Sequence, residues 1–231
     1  MSKLYVFGDS YTTPNYCVAQ QDSWWGLCAG LLPVDEIHNH SWPGNNIESI
    51  AHTILHTDID RDDFVIVAVP PMGRITYFAG EAAKLQHYTV YNHDMQQQYT
   101  QPELCHKGLT QIPTHETEKE NIDRWDNSWG EATALRELLL LDVLLDKVMF
   151  CVMSTPFMEK SSWPTIKTLI KKTKKPQFQT CKNTYYSVNL HINKPVDYDT
   201  YGWFGHHGAI GNKHYFNITA KPTMQKLGWI V

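Results

Sequence analysis

A serine near the N-terminus and two histidines near the C-terminus are the residue types that nucleophilic acyl transfer needs. Ser10 follows Gly8 and Asp9 directly after a short apolar run, and His206 and His207 lie in a glycine-bounded turn. A serine hydroxyl is a weak nucleophile at neutral pH and needs a base within hydrogen-bond reach. Histidine fits because its unperturbed pKa lies near neutrality. These residue types predict Ser10 as the nucleophile and either His206 or His207 as its base.

Acyl transfer also needs hydrogen-bond donors aimed at the oxyanion that develops on the substrate. The predicted donors are the backbone N–H groups of Ser10 and Gly44 and the side-chain amide of Asn46. A glycine at position 44 lets a substrate carbonyl approach the backbone closely. Arg74 is a further candidate, as a cation near the oxyanion. Asn46 has an alternative role as the cap of a helix that begins there.

Residues beside these positions are predicted to contact a substrate, namely Asp9, Tyr11, Trp42, Asn45 and Trp203. Trp42 and Trp203 flank the proposed site and are candidates for a platform under a sugar ring or an acyl group. Core packing is the alternative for both tryptophans. Asp9 has the alternative of bonding backbone N–H groups within its own turn.

Apolar runs alternate along the chain with stretches of helical spacing, which predicts strands alternating with helices. The strands are predicted at residues 4–7, 36–40, 64–69 and 148–153. Helices are predicted at residues 23–32, 46–56, 131–145 and 163–172, with a last helix within 208–227 that is kinked or broken at Pro222. This alternation favours a mostly parallel sheet with helices on both faces.

The loops that follow the strands carry most of the candidate residues. In open α/β sheets, ligands bind outside the carboxyl ends of the strands. We therefore expect Ser10, Gly44 and Arg74 at one edge of the sheet. The segment of about 75–127 has no clear period and is predicted to be a long loop insertion in a single domain spanning 1–231. Loops of this length usually serve as lids or binding loops.

The order and spacing of these blocks resemble the SGNH (GDSL-type) hydrolase superfamily. Gly8-Asp9-Ser10 matches its first block, the turn at Gly44 its second, and the stretch from His206 to Gly211-Asn212 its last. The last match implies His206 as the base, with His207 as the alternative. The resemblance implies a three-layer α/β/α sandwich of the flavodoxin-like type. It also implies a serine esterase or deacylase that acts through an acyl-enzyme on a small ester or an acylated sugar.

The chain departs from the family pattern in two blocks. The loop that ends at Arg74 lacks the family's oxyanion asparagine, and Trp203 and Phe204 occupy the positions where an aspartate usually precedes the histidine. Asp199 or Asp197 is predicted to orient the imidazole instead, unless a backbone carbonyl does so. These departures motivate an alternative, a catalytically degenerate SGNH-like binding or structural module. A nucleotide or cofactor binder is a weaker reading, because the chain has no glycine-rich phosphate-binding fingerprint.

Composition excludes several other classes of function. A formal net charge of −4 gives no support for nucleic-acid binding. Five cysteines without C-x-x-C spacing indicate a reducing compartment, and the opening residues do not form a secretory leader. We therefore expect a cytoplasmic protein without membrane contact, or a virion or host-cytoplasm protein if it is viral. Twelve histidines without zinc-site spacing predict no required metal, and no cofactor is expected.

Overall fold

Four parallel strands form the central sheet in the part of the chain that the structure describes. The computed structural model describes residues 2–15, 18–42, 45–70, 75–78, 85–88, 127–152 and 208–231. Within these ranges the strands are β1 (Lys3–Phe7), β2 (Glu36–Asn39), β3 (Phe64–Val69), β4 (Ile75–Phe78), β5 (Leu85–Tyr88) and β6 (Val148–Val152). The sheet has the order β2-β1-β3-β6, and every neighbouring pair in it is parallel.

The middle of the sheet is buried on both faces. All six residues of β3 are buried, and their sequence is a continuous run dominated by β-branched residues. Such runs are typical of parallel strands covered on both sides, where alternation of polar and apolar residues disappears. The register pairs Val6 with Ile66 and Phe7 with Val67, so β1 and β3 reach the same edge of the sheet.

Helices cover both faces. They are α1 (Trp24–Ala29), α2 (Ile47–Leu55), α3 (Asn127–Leu144), α4 (Ala209–Tyr215) and α5 (Lys221–Lys226). A short 3₁₀ turn, Gln20–Asp22, leads into α1, and a π-helical turn, Phe216–Ala220, joins α4 to α5.

Two separate apolar cores show which helix covers which face. One core combines side chains of α2 and α3 with those on one side of the sheet, including Phe7 and Val67. The other combines α1 and the C-terminal helices with the opposite side, including Val6 and Ile66. The molecule is therefore a three-layer α/β/α sandwich, as the sequence predicted.

The strand order creates a crevice beside the loop after β1. The chain runs from β1 outward to β2 through α1, and then returns past β1 to β3 through α2 on the other face. The β2-β1-β3 order is that of flavodoxin-like sheets, in which ligands bind at the point where the connections diverge. That point lies at the carboxyl ends of β1 and β3.

The structure differs from the predicted elements in two places. Residues Ile75–Phe78 and Leu85–Tyr88 form an antiparallel pair, so the start of the segment predicted as a loop contains a small sheet. Its strands have only four residues each, too few for alternation to stand out in the sequence. Helix α3 begins at Asn127, four residues before the predicted start. The predicted helix at 163–172 lies outside the described residues.

The last helix is interrupted just before Pro222, the residue at which the sequence predicts a kink or a break. The π-helical turn Phe216–Ala220 comes directly before α5, and Pro222 occupies the first turn of α5. A proline has no N–H to donate and its ring crowds the preceding turn, so a wider turn before it removes the conflict. Across the described ranges, no helix combines the length and apolarity needed to cross a bilayer.

Replacement of Gly8 by alanine is expected to destabilise the protein. A Cβ at this position would collide with Thr12 Oγ1 and would lie 2.7 Å from the Cβ of Ala68. Both neighbours are buried, so relief requires the β1 loop to move away from β3. Overpacking of this kind costs about 1–3 kcal/mol, which urea unfolding of Gly8→Ala would measure as a lower midpoint.

Gly30→Ala is the matched control. A Cβ there meets only the carbonyl oxygens of Gly26 and Leu27, both at 3.7 Å, and the backbone is right-handed helical. Its free energy of unfolding should stay within about 0.5 kcal/mol of the wild type. Equal midpoints for Gly8→Ala and the wild type would contradict the close packing of the loop against β3.

Candidate active site

Ser10 lies at the carboxyl edge of the sheet, in the loop directly after β1, and is half-buried. The loop is closed on the carbonyl of Asp9, which accepts hydrogen bonds from the backbone N–H groups of Thr12 (2.9 Å) and Thr13 (3.1 Å). The hydroxyls of the same two threonines also donate to this oxygen, at 2.9 and 3.1 Å. Four donors on one oxygen fix the turn that carries the serine.

The side chain of Asp9 also serves this turn. Its carboxyl has no exposed surface, and Oδ1 accepts a hydrogen bond from the N–H of Tyr11 at 3.1 Å. The predicted bonding of Asp9 to N–H groups of its own turn is confirmed. Full burial favours this role over the substrate contact that was the other expectation for Asp9.

The loop after β2 is fastened to the Ser10 loop by Trp42 and Asn45. The carbonyl of Gly8 accepts from the N–H of Trp42 (3.2 Å) and from Nδ2 of Asn45 (3.0 Å). Oδ1 of Asn45 in turn accepts from the N–H of Asn46 at 3.0 Å. The Asn45 side chain is 5% exposed, which favours joining the two loops over the predicted contact with substrate.

Asn46 caps helix α2. Its Oδ1 accepts from the N–H of Ser49 at 2.9 Å, its backbone is extended, and it is 3% exposed. The capping interpretation is confirmed. Capping uses Oδ1, whereas the predicted oxyanion contact would use Nδ2, and the oxyanion role stays a prediction.

Asn39 is a supporting residue that the sequence reasoning missed. It is the last residue of β2, and its Nδ2 donates to the carbonyl of Thr12 at 2.9 Å. Its Oδ1 accepts from the N–H of Ser41 at 2.8 Å. A polar residue near the end of the predicted strand was the one available signal, and this signal does not say which loop the side chain would reach.

Trp42 and Tyr11 differ in how much of each is accessible. Trp42 is 64% exposed, so the core-packing alternative is wrong for it. Its backbone is held on both sides, because its N–H donates to Gly8 and its carbonyl accepts from the N–H of Asn45 at 3.1 Å. Tyr11 is half-buried and packs against the α1 side of the core. Of these two, Trp42 offers the larger apolar surface beside the Ser10 loop.

A histidine that was not among the predicted site residues, His40, follows β2 at the same edge of the sheet. Its ring stacks on Phe7, with centroids 5.1 Å apart, and its Nε2 is buried without a hydrogen-bond partner among the described residues. Burial lowers the pKa of His40, and His38 lowers it further. The imidazole is therefore neutral at neutral pH and adds no positive charge to this edge.

Other candidate nucleophiles and metal ligands in the described ranges do not form a site. Cys28 and Cys151 are fully buried free thiols, and burial raises the pKa of Cys28, which keeps that thiol protonated. The described ranges contain no group of three or more histidine, cysteine, aspartate or glutamate side chains placed to hold a metal. The role of Ser10 as the nucleophile stays a prediction.

The last helix begins close to α1. Gly208, a buried residue, precedes α4, and its carbonyl accepts from Nδ2 of Asn212 at 3.1 Å. Oδ1 of Asn212 accepts from the N–H of Trp24, the first residue of α1, at 3.0 Å. The chain therefore enters α4 at a fixed position, immediately after the predicted histidine pair.

The described structure brings part of the predicted site together. Ser10, Trp42, Asn45 and Asn46 belong to two adjoining loops at one edge of the sheet. The other predicted residues lie outside the described ranges: Gly44, Arg74, Asp199, Trp203, His206 and His207. Their roles as base, orienting acid, oxyanion donors and substrate contact remain predictions.

Comparison with known proteins shows similarity of structure and not of sequence. No protein-family model matches the chain, and no curated protein matches it in sequence. A lipolytic G-D-S-L family protein from Veillonella parvula covers 98% of this chain over 97% of its own length, with 12% identity and a TM-score of 0.50. TesA covers 98% of this chain over 99% of its own length, with 9% identity and a TM-score of 0.51.

A third similar structure is a variant of Axe2, an acetyl-xylooligosaccharide esterase from Geobacillus stearothermophilus. It covers all of this chain over 96% of its own length, with 13% identity and a TM-score of 0.51. The three matches extend over almost the whole of both chains in each case. The chain therefore has the α/β/α fold of the GDSL-type (SGNH) hydrolases.

Proposed function

We propose that this protein hydrolyses esters through an acyl-enzyme formed on Ser10. The observation that carries the proposal is the position of Ser10, half-buried in a rigid loop at the point of the sheet where ligands bind in this fold class. The fold shared with lipolytic proteins and esterases supports the same class of reaction. One catalytic mutant of Axe2 carries alanine in place of a serine.

The hydrogen bonds of the loop support an oxyanion role for the Ser10 N–H. A trans peptide unit is planar, so its N–H points opposite to its own carbonyl. The Asp9 carbonyl is directed into the turn, towards Thr12 and Thr13, and the N–H of Ser10 is therefore directed away from the turn. A donor fixed in advance costs little reorganisation when charge develops on the substrate.

His206 is the proposed base, with His207 as the alternative. His206 precedes Gly208 by two residues and His207 precedes it by one. Chain geometry therefore limits the Cα of His206 to within about 8 Å of the Gly208 Cα. Gly208 is tied through Asn212 to Trp24, and the Trp24 indole is tied to the carbonyl of Tyr11. This connection favours a histidine near the loop that carries the nucleophile.

The proposed reaction has two steps. Ser10 Oγ attacks the ester carbonyl while His206 accepts the hydroxyl proton, and the N–H groups of Ser10 and Gly44 stabilise the oxyanion. The histidine returns the proton to the departing alcohol, which leaves an acyl group on Ser10. Water, deprotonated by the same histidine, then releases the acid and restores the hydroxyl. Asp199 is the proposed orienting partner of the imidazole.

A binding module without catalysis is the second candidate. The loop that ends at Arg74 lacks an asparagine, and no aspartate stands two or three residues before His206. In this alternative the same edge binds an ester or a sugar and does not cleave it. An esterase would acylate Ser10 during the reaction, and a binding module would not.

Ser10→Ala is expected to abolish hydrolysis of p-nitrophenyl acetate and labelling by a fluorophosphonate probe. His206→Ala should lower kcat by about 10³-fold or more if it is the base, since loss of a base disables the nucleophile, and His207→Ala should then have a small effect. Steady-state kinetics and mass spectrometry of the labelled peptide make both measurements.

The control is Ser41→Ala. Ser41 is 5% exposed, and its hydroxyl finds no hydrogen-bond partner among the described residues, so its removal should leave labelling unchanged. Absence of labelling in the wild type, with turnover equal in wild type and Ser10→Ala, would favour the binding module.

Two substitutions of Asn46 separate its cap from its proposed oxyanion contact. Asn46→Ala removes both and should cost about 1 kcal/mol of stability. Asn46→Asp keeps an oxygen for the Ser49 N–H but has no amide donor. Its stability should stay near the wild type while kcat falls about 10²-fold. An unchanged kcat in Asn46→Asp would assign the oxyanion to other donors.

Trp42 is proposed to provide an apolar platform for the substrate. Its side chain is largely exposed while its backbone is held beside Gly8, and one similar fold belongs to an esterase of acetylated xylooligosaccharides. Trp42→Ala should raise KM for an acetylated xylooligosaccharide about 2- to 10-fold, the equivalent of one aromatic contact. The KM for p-nitrophenyl acetate should change less. Equal KM changes for both substrates would contradict a sugar platform.

A further inference from the structure

Trp24 connects the Ser10 loop to the last helix. It is the first residue of α1 and has no exposed surface. Its indole Nε1 donates to the carbonyl of Tyr11 at 3.2 Å, one residue after Ser10. Its backbone N–H donates to Oδ1 of Asn212 at 3.0 Å. A single buried residue therefore bonds to both regions that the proposed reaction must bring together.

The hydrogen bond to Asn212 gives the backbone N–H of Trp24 an acceptor, which helix α1 cannot provide at its first residue. The first N–H groups of an α-helix have no partner within the helix. In α1 the Ser23 hydroxyl accepts from the N–H of Gly26, and the N–H of Trp24 is left to a side chain 188 residues further along. Because Asn212 is only 2% exposed, water does not replace it readily, and an unpaired N–H there would be costly.

The amide nitrogen of the Asn212 side chain holds the start of α4 in place. Its Nδ2 donates to the carbonyl of Gly208 at 3.1 Å, and the backbone N–H of Asn212 donates to the same oxygen at 3.0 Å. The ring of Trp24 also meets the edge of Tyr215, with centroids 5.4 Å apart at 82°. Both contacts hold α4 against α1.

We infer that Trp24 and Asn212 are positioning residues for catalysis, which fix the Ser10 loop relative to the start of the last helix. The catalytic part of this inference rests on the proposed function, because His206 and His207 directly precede Gly208. The structural part, a coupling between the two regions, does not. The chain of contacts runs from Tyr11 through Trp24 and Asn212 to Gly208.

Trp25 provides a matched comparison within the same helix. Like Trp24 it has no exposed surface and belongs to the same apolar core. Its Nε1 is buried without a hydrogen-bond partner among the described residues. Replacing either tryptophan by phenylalanine removes the same atoms from the same core. The hydrogen bond to Tyr11 is lost only in Trp24→Phe.

The kinetic test compares these two variants in urea-free buffer, at a temperature well below the unfolding transition of each. Trp24→Phe should lower kcat for p-nitrophenyl acetate about tenfold, with KM within about twofold, because a small displacement between nucleophile and base lowers the rate more than binding. Trp25→Phe should keep the kcat of the wild type. Equal kcat in both variants would overturn the catalytic role.

Hydrogen exchange tests the coupling without any need for activity. Asn212→Ala should speed amide exchange in the peptide that covers residues 8–13, although position 212 does not belong to that loop. Asn212→Asp keeps an acceptor for the Trp24 N–H but has no donor for the Gly208 carbonyl, so it should restore part of the protection. Unchanged exchange at 8–13 in both Asn212→Ala and Trp24→Phe would overturn the coupling.

The two readouts separate this inference from the proposed function. If Ser10→Ala retains the activity of the wild type, or no activity exists, the ester hydrolase proposal fails and so does the catalytic role of the two residues. The exchange measurement then still decides whether Trp24 and Asn212 couple the loop to the helix. If Ser10 is acylated but Trp24→Phe and Trp25→Phe behave alike, the positioning inference alone fails.

Discussion

The loop that follows β1 depends on hydrogen bonds to its own carbonyl groups. The carbonyls of Gly8, Asp9, Tyr11 and Thr12 all accept hydrogen bonds, and three of these four oxygens are bonded by residues from other parts of the chain. A loop held in this way has little freedom to rotate its peptide groups. The direction of each N–H is then set by the planarity of the peptide, and catalytic donors need this kind of fixed direction.

The same loop is also constrained by its distance from β3. At Gly8 there is no space for a Cβ between Thr12 and Ala68, so the backbone turns tightly against the neighbouring strand. This close approach holds the loop at the β1–β3 junction, where the crossover helices lie on opposite faces of the sheet. The position of the serine is therefore a property of the sheet order as much as of the local Gly-Asp-Ser sequence.

Structural similarity and local geometry support the functional proposal in different ways. Proteins with less than 15% identity share the fold over almost their full length, and they include a lipolytic G-D-S-L family protein and an acetyl-xylooligosaccharide esterase. Such similarity establishes the fold and leaves the chemistry to the site. The proposed acyl transfer rests on the position of Ser10 and of the loops that adjoin it. The departures at Arg74 and before His206 keep a binding module as the alternative.

The sequence by itself determined the class of fold and the location of the Ser10 loop. Continuous β-branched runs and intervening helical spacing predicted a parallel sheet, and Gly8-Asp9-Ser10 at the end of the first strand predicted a functional edge. These features are local, since each depends on residues that are neighbours in the chain. The short pair of strands at 75–88 was missed because four-residue strands carry too little pattern.

Only the tertiary structure decided which side chains hold that edge in place. The bond from Trp24 to Asn212 joins residues 188 positions apart, and Asn39 reaches Thr12 from a different strand. Neither contact follows from a spacing or a motif, because a hydrogen bond requires its two atoms to be about 3 Å apart, and folding alone brings them there. The sequence thus specified the Ser10 loop, and packing between distant segments specified its surroundings.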